Sequence, residues 1–135
     1  MIDIENLEFT RVKTAVSTLC PNCGTIPLSG TIQSAYLLFD QKDNPSYKPT
    51  QDSDSKENHV QPMIQIDVYV TNNDKYKAKQ IMTLADTQMQ TDGWERIFGP
   101  QSIPTTTANV LCLTARYQGI VESIGSNQFR VYSNR

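Results

Sequence analysis

The feature that most restricts this chain is an alternation of apolar and polar residues that recurs along its length. In "MIQIDVYV" (63–70), Ile64, Ile66, Val68 and Val70 fall on one face, and Gln65 and Asp67 on the other. Successive side chains of a strand point to opposite sides, so this pattern predicts a half-buried strand with β-branched residues inward. "YKAKQIMTL" (76–84), "WERIF" (94–98), "NVLCLTARY" (109–117) and "QFRVYS" (128–133) read the same way. "TIQSAYLLFD" (31–40) reads as a longer apolar strand and "EFTRVKTAV" (8–16) as a weaker, more polar one. The nearest approach to a helical stripe is "ENLEFTRVKTAV" (5–16), whose Thr and Val content favours strand. Turn residues separate the runs in "TNND", "TDG", "GPQSIPTT" and "QGIVESIGSN". The expectation is an all-β fold, an antiparallel β-sandwich of jelly-roll type.

At 135 residues the chain fits a single β-sandwich domain spanning 1–135. One stretch breaks the strand cadence. "QKDNPSYKPTQDSDSKENHVQP" (41–62) holds little to bury besides Tyr47 and Val60, and reads as a long polar loop, mobile or partner-contacting. Its Asp52, Asp54 and Glu57 resemble a calcium loop in spacing, but the glycine and flanking helices of an EF-hand are missing.

Composition excludes several function classes. Net charge is −2, from 12 basic and 14 acidic residues, with no Lys/Arg cluster to grip nucleic acid. No apolar run approaches the roughly 20 residues that span a bilayer. The start, "MIDIENLEF", has neither a basic n-region nor an apolar h-region, which predicts synthesis in the cytoplasm without a secretory signal.

Reduced thiols are then expected for Cys20, Cys23 and Cys112. "CPNC" (20–23) is one C-x-x-C, and a Cys₃His zinc site would have to join Cys20, Cys23 and Cys112 to His59. A thioredoxin-like pair needs a helix start, whereas "CPNCGTIPLSG" runs on through Gly and Pro, so the pair reads as a turn. No cofactor motif is present, and the expected cofactor and metal set is none.

Catalysis also has little to build on. With one histidine, His59, a nucleophile–histidine–acid arrangement has few ways to assemble. Asp67, Glu95 and Glu122 are carboxylates on strands and read as solvated. A non-enzymatic protein is expected. The candidate binding residues are Trp94 and Arg96, with Tyr69 and Tyr117 (and Tyr132) as flanking aromatics. Trp94, Arg96 and Phe98 alternate onto one face. That makes Trp94 either a core plug beside Phe98 or a displayed platform beside Arg96.

The second half resembles jelly-roll carbohydrate-binding modules in its cadence. Trp94 leads a strand, Ile103-Pro104 follows with Thr105 to Thr107, then Val110 to Leu113, then Phe129 to Tyr132. The N-terminal half lacks the opening strand of those modules, and the Asp pair before their last strand is missing. The resemblance implies a sandwich that binds glycan through exposed aromatics, although the Trp at this place is commonly a core residue. Phage virions use the same sandwich in decoration, tail and fibre proteins, made in the cytosol and released by lysis. The leading expectation is therefore a virion or assembly component that docks on other virion proteins or on further copies of itself. A carbohydrate-binding module is the alternative.

Overall fold

The computed structural model describes residues 4–27, 34–43, 59–105, 109–125 and 128–132. In chain order the elements are α1 (Glu5–Val16), β1 (Cys23–Gly24), β2 (Ala35–Asp43), β3 (His59–Val60), β4 (Met63–Thr71), α2 (Lys75–Thr91), β5 (Glu95–Ile103), β6 (Val110–Gln118), β7 (Ile120–Gly125) and β8 (Gln128–Tyr132). Strands β1-β2-β4-β6-β5 form one five-stranded sheet, antiparallel throughout except for the parallel pair β1/β2. Strands β3-β7-β8 form a second, antiparallel sheet.

The two sheets share a spine. β3 pairs with β7 at His59↔Glu122, and β4 pairs with β6 from Met63↔Gln118 onward. The small sheet thus continues the central ladder past a bend at Gln61-Pro62 and Gly119. A side chain at Gly119 would press on Val131 Cγ1 at 2.8 Å and on the Trp94 ring at 3.2 Å, so only glycine lets the bend close over the indole.

The chain is β-rich, as expected, but its second layer is helical. The core-side residues of the large sheet are Leu37 and Phe39, then Ile64, Ile66, Val68 and Val70, then Leu113, Ala115 and Tyr117. They pack with Val12 and Val16 of α1 and with Ala78, Ile81, Met82, Ala85 and Met89 of α2. Helices on one face of a mixed sheet make an α+β arrangement, not the expected antiparallel jelly-roll sandwich.

Two segments expected as strands are helices. Over the nine residues 76–84 the alternation is real. Over 75–91, however, the buried positions 78, 81, 82, 85 and 89 follow a 3.6-residue period. Asp74 caps this helix by accepting from the Lys77 N–H (3.2 Å), and Gly93, at φ +101°, ends it. In α1 the inward stripe is Ile4, Glu8, Val12 and Val16. Thr10 and Thr14 lie on the exposed side and donate to the carbonyls of Asn6 and Thr10, both at 2.9 Å, while Val12 and Val16 hold the helix to the core.

The stretch expected as a polar loop over 41–62 carries strand residues near both of its ends. β2 runs to Asp43, and His59–Val60 pairs with β7. Residues 44–58, with Asp52, Asp54 and Glu57, lie outside the described residues. No helix among those described is long and apolar enough to cross a membrane.

Candidate functional site

Trp94 sits where α2 has ended and β5 begins, its N–H bonded to the Met89 carbonyl (3.0 Å). The indole is 3% exposed and belongs to the core cluster. Its Nε1–H donates to Glu8 Oε1 at 3.0 Å, which satisfies the one polar atom that burial would otherwise orphan. Of the two roles open in the sequence, the core plug is the one this geometry contains.

Glu8 is the residue that sequence reasoning missed. It is 2% exposed, and its Oε2 meets no donor. Burial raises its carboxyl to about 8, with Asp92 adding to the rise by hydrogen bonding and charge. The Trp94 bond and Arg11 work the other way. Two carboxyls side by side are compatible only when one of them holds a proton, and the raised Glu8 carboxyl is the one that keeps it at neutral pH. The Arg11 guanidinium bridges the pair from the rim, 3.7 Å from Glu8 and 3.8 Å from Asp92. The sequence does carry a signal for Glu8: one acid at the second position of an otherwise apolar i, i+4, i+8, i+12 stripe.

Arg96 and Tyr117 meet in a groove between α2 and β5. They are cross-strand partners, and both reach Asp86 of α2, whose Oδ1 accepts from Arg96 (3.0 Å) and from the Tyr117 hydroxyl (2.7 Å). Burial first, and Asp86 next, raise the Tyr117 phenol, so it stays a neutral donor. The groove encloses about 280 Å³ between Lys79, Met82, Thr83, Asp86, Arg96, Pro100 and Leu113. Its acid and base neutralise one another, which leaves Lys79 at the mouth and an apolar floor of Met82 and Leu113.

Tyr69 lies on the other side of the sheet. Its cross-strand partner is Cys112, and its phenol is raised to about 12, first by burial and then by Cys112. Asp67 shares that side and is buried, contrary to the solvated carboxylate expected. It accepts from the Thr114 hydroxyl and from Gln65 Nε2 (3.1 Å), and Gln65 in turn accepts from Arg116 Nε (3.0 Å). Hydrogen bonding of this kind anchors a buried carboxylate structurally. Of the four candidate binding residues, the fold gathers Arg96 and Tyr117, buries Trp94, and places Tyr69 on the opposite face. Glu122 is tied to Arg130 at 2.5 Å.

The thiols divide as well. Cys20 is buried in the turn after α1, and Cys23 opens β1, half-buried. Cys112 is three strands across the sheet from Cys23, about 14 Å at ordinary strand spacing, which keeps it apart from the Cys20–Cys23 turn. Burial, then the charge of Asp67, raises Cys112 to about 11. Among the described residues no three potential metal ligands converge.

The most unusual surface is β5. It is the outer strand of its sheet, and Ile97, Phe98 and Ile103 are 45%, 40% and 39% exposed. The expected single face of Trp94, Arg96 and Phe98 is broken by a bulge at Ile97. Arg96 pairs with Tyr117 on the helix side, whereas Phe98 pairs with Arg116 on the other. The Arg116 guanidinium lies 5.5 Å from the centre of the Phe98 ring. A second irregularity between Phe98 and Gln101 takes in Pro100. No protein-family model matches the chain, and no curated protein matches it either.

Proposed function

We propose that this chain is a non-enzymatic assembly subunit, of the kind that docks in a virion as a phage decoration, tail or fibre component. The observation that carries the reading is the apolar strip Ile97, Phe98 and Ile103 on the outer strand β5. Isolated apolar residues on a surface are ordinary, but three large ones on a single edge strand are a contact waiting for a partner.

The two edges of the large sheet differ in a way that supports this. At the far edge β1 covers the start of β2, and Glu5 of α1 accepts from the Gln41 backbone N–H (2.8 Å). Those are the usual devices that keep an edge from pairing promiscuously. On β5, the bulges and Pro100 interrupt continuous strand addition, yet the apolar side chains are kept. Protection against general β-pairing together with an exposed apolar strip fits one specific docking partner, met through side chains.

A glycan platform has less to stand on, because Trp94 is buried and Tyr69 and Tyr117 face opposite sides. Chemistry in the α2–β5 groove is likewise disfavoured, since its Asp86 is already held by Arg96 and Tyr117.

The test is the oligomeric state across a concentration series, by light scattering or sedimentation, for the parent and for a Phe98→Lys, Ile103→Lys variant. The parent should form a defined oligomer or enter particles at fixed copy number. The variant should stay monomeric with an unchanged melting temperature. A parent that remains monomeric and never enters a particle would refute the reading.

A further inference from the structure

We infer that Cys20 and Cys23 form a reversible dithiol–disulfide pair, oxidised within the chain by a low-molecular-weight disulfide such as glutathione disulfide. The inference is independent of the assembly reading and rests on the turn that joins α1 to β1. Past Val16 the chain makes one more turn, with the Leu19 and Cys20 N–H groups both bonded to the Val16 carbonyl (3.0 and 2.8 Å). It then passes through exposed Pro21 and Asn22 before Cys23 pairs with Leu37 of β2. This path folds the two thiols together. The Cys23 Sγ–H donates to the Cys20 carbonyl (3.3 Å), the Cys20 Sγ–H donates to the Asn22 carbonyl (3.4 Å), and the two thiols are near enough to influence each other's ionisation. Neighbouring thiols held this near need little backbone movement to bond.

The two sulfurs have different access, and this sets the order of events. Cys23 is half-buried and open to a reagent, whereas Cys20 is wholly buried behind it. In the first step the Cys23 sulfur, as thiolate, gives its electron pair to one sulfur of the small disulfide. A mixed disulfide forms at Cys23 and one thiolate leaves. In the second step the Cys20 thiolate attacks the Cys23 sulfur, the Cys20–Cys23 bond forms, and the second thiolate leaves. The protein pair has lost two electrons and two protons, and one molecule of small disulfide has become two thiols.

The electrostatics set the pace of the first step. The Cys23 hydrogen bond holds the Cys20 thiol below its ordinary value, while burial opposes. Cys23 is raised, first by the same bond and then by burial. The accessible thiol is therefore slow to begin, and because the mixed disulfide on Cys23 no longer has a proton to donate, the second step depends on the nearness of Cys20 and not on a lowered thiol.

The pair is not built like an oxidoreductase site. It follows the end of a helix and precedes a strand, so no helix N-terminus stabilises a thiolate there. A dithiol without that support holds its disulfide more firmly, as a clamp between α1 and the sheet edge, and does not pass it on. Cys112, about three strand spacings away, is left out.

The experiment uses the full chain, reduced, freed of reductant, exposed to glutathione disulfide and quenched with an alkylating agent. Intact-mass and peptide mapping should show the loss of two hydrogen atoms, a Cys20–Cys23 cross-link and an alkylatable Cys112 after unfolding. Cys20→Ser should stop at a glutathione adduct on Cys23, and Cys23→Ser should react at least tenfold more slowly than the parent. A parent that accumulates the Cys23 adduct without the cross-link overturns the inference, as does a Cys23→Ser chain oxidised at the parent's rate. Should a serine variant fail to fold, the peptide map of the parent decides alone: a cross-link supports the pair, and its absence after prolonged oxidation refutes it.

Discussion

Glu8 shows how one side chain can couple the fold to pH. Its carboxyl titrates near 8 in the folded chain against an ordinary value of 4.5. Between those values the folded state holds a proton that the unfolded state has released. Stability therefore falls as pH rises through that window, by roughly 1.4 kcal/mol per unit at full slope. Above about 8 both states are deprotonated and this dependence ends. Below 4.5 both are protonated and Glu8 contributes its full stability. The groups that face it are Asp92, Arg11 and the Trp94 indole. Glu8→Gln keeps an oxygen acceptor for the indole N–H and removes the ionisation. The variant should melt at a nearly constant temperature from pH 5 to 9, and should exceed the parent at pH 9. The emission of Trp94, the single tryptophan, should shift near pH 8 in the parent and stay flat in the variant. A parent whose stability is level across this range would show that Glu8 is ionised in the fold.

At the scale of elements, the strands were legible where the alternation coincided with burial on a single face. β4 is the clearest instance: its even-numbered residues enter the core, and Gln65 and Tyr69 do not. The helices were hidden for different reasons. In α2 the run Tyr76, Ala78, Met82, Leu84 alternates by accident, and Tyr76 is in fact exposed. Its true period emerges only across all 17 residues. In α1 the β-branched content pointed to strand, and the packing of Val12 and Val16 into the core overrides that preference. The signal available in sequence was the cap, "NND" before a periodic run and Gly93 after it. Asp74 should therefore matter more than its exposed position implies. Asp74→Ala should cost about 1 kcal/mol, measured by urea denaturation with an unchanged slope, whereas Asp74→Asn should cost less than half of that. Equal losses in both would mean that charge near the helix start, not the capping bond, is what Asp74 supplies.

At the scale of the whole molecule, the candidate surface was legible only in part. Sequence pointed to the segment around Trp94 and Arg96, and that segment does border the open edge of the sheet. It could not place the bulge at Ile97, because register depends on pairing with β6, which is chosen by the assembled sheet. That bulge turns Phe98 away from Arg96 and leaves Ile97 exposed beside it. The edges of the sheet should consequently differ in dynamics. β4 and β6 are each bonded on both sides, while β5 is bonded only to β6 and slips twice in register. Local opening costs least where a strand has one partner and little burial. Amide hydrogen exchange in the dilute chain should be slowest in β4 and β6 and much faster in β5, with Ile97 and Gln101 to Ile103 among the fastest strand positions. If docking runs through the apolar strip, the same β5 amides should slow at least tenfold in the assembled form, while those of β4 change little. Protection gained instead along β1 and β2 would move the interface to the opposite edge. Unchanged exchange in β5 on assembly would remove the strip from the contact altogether.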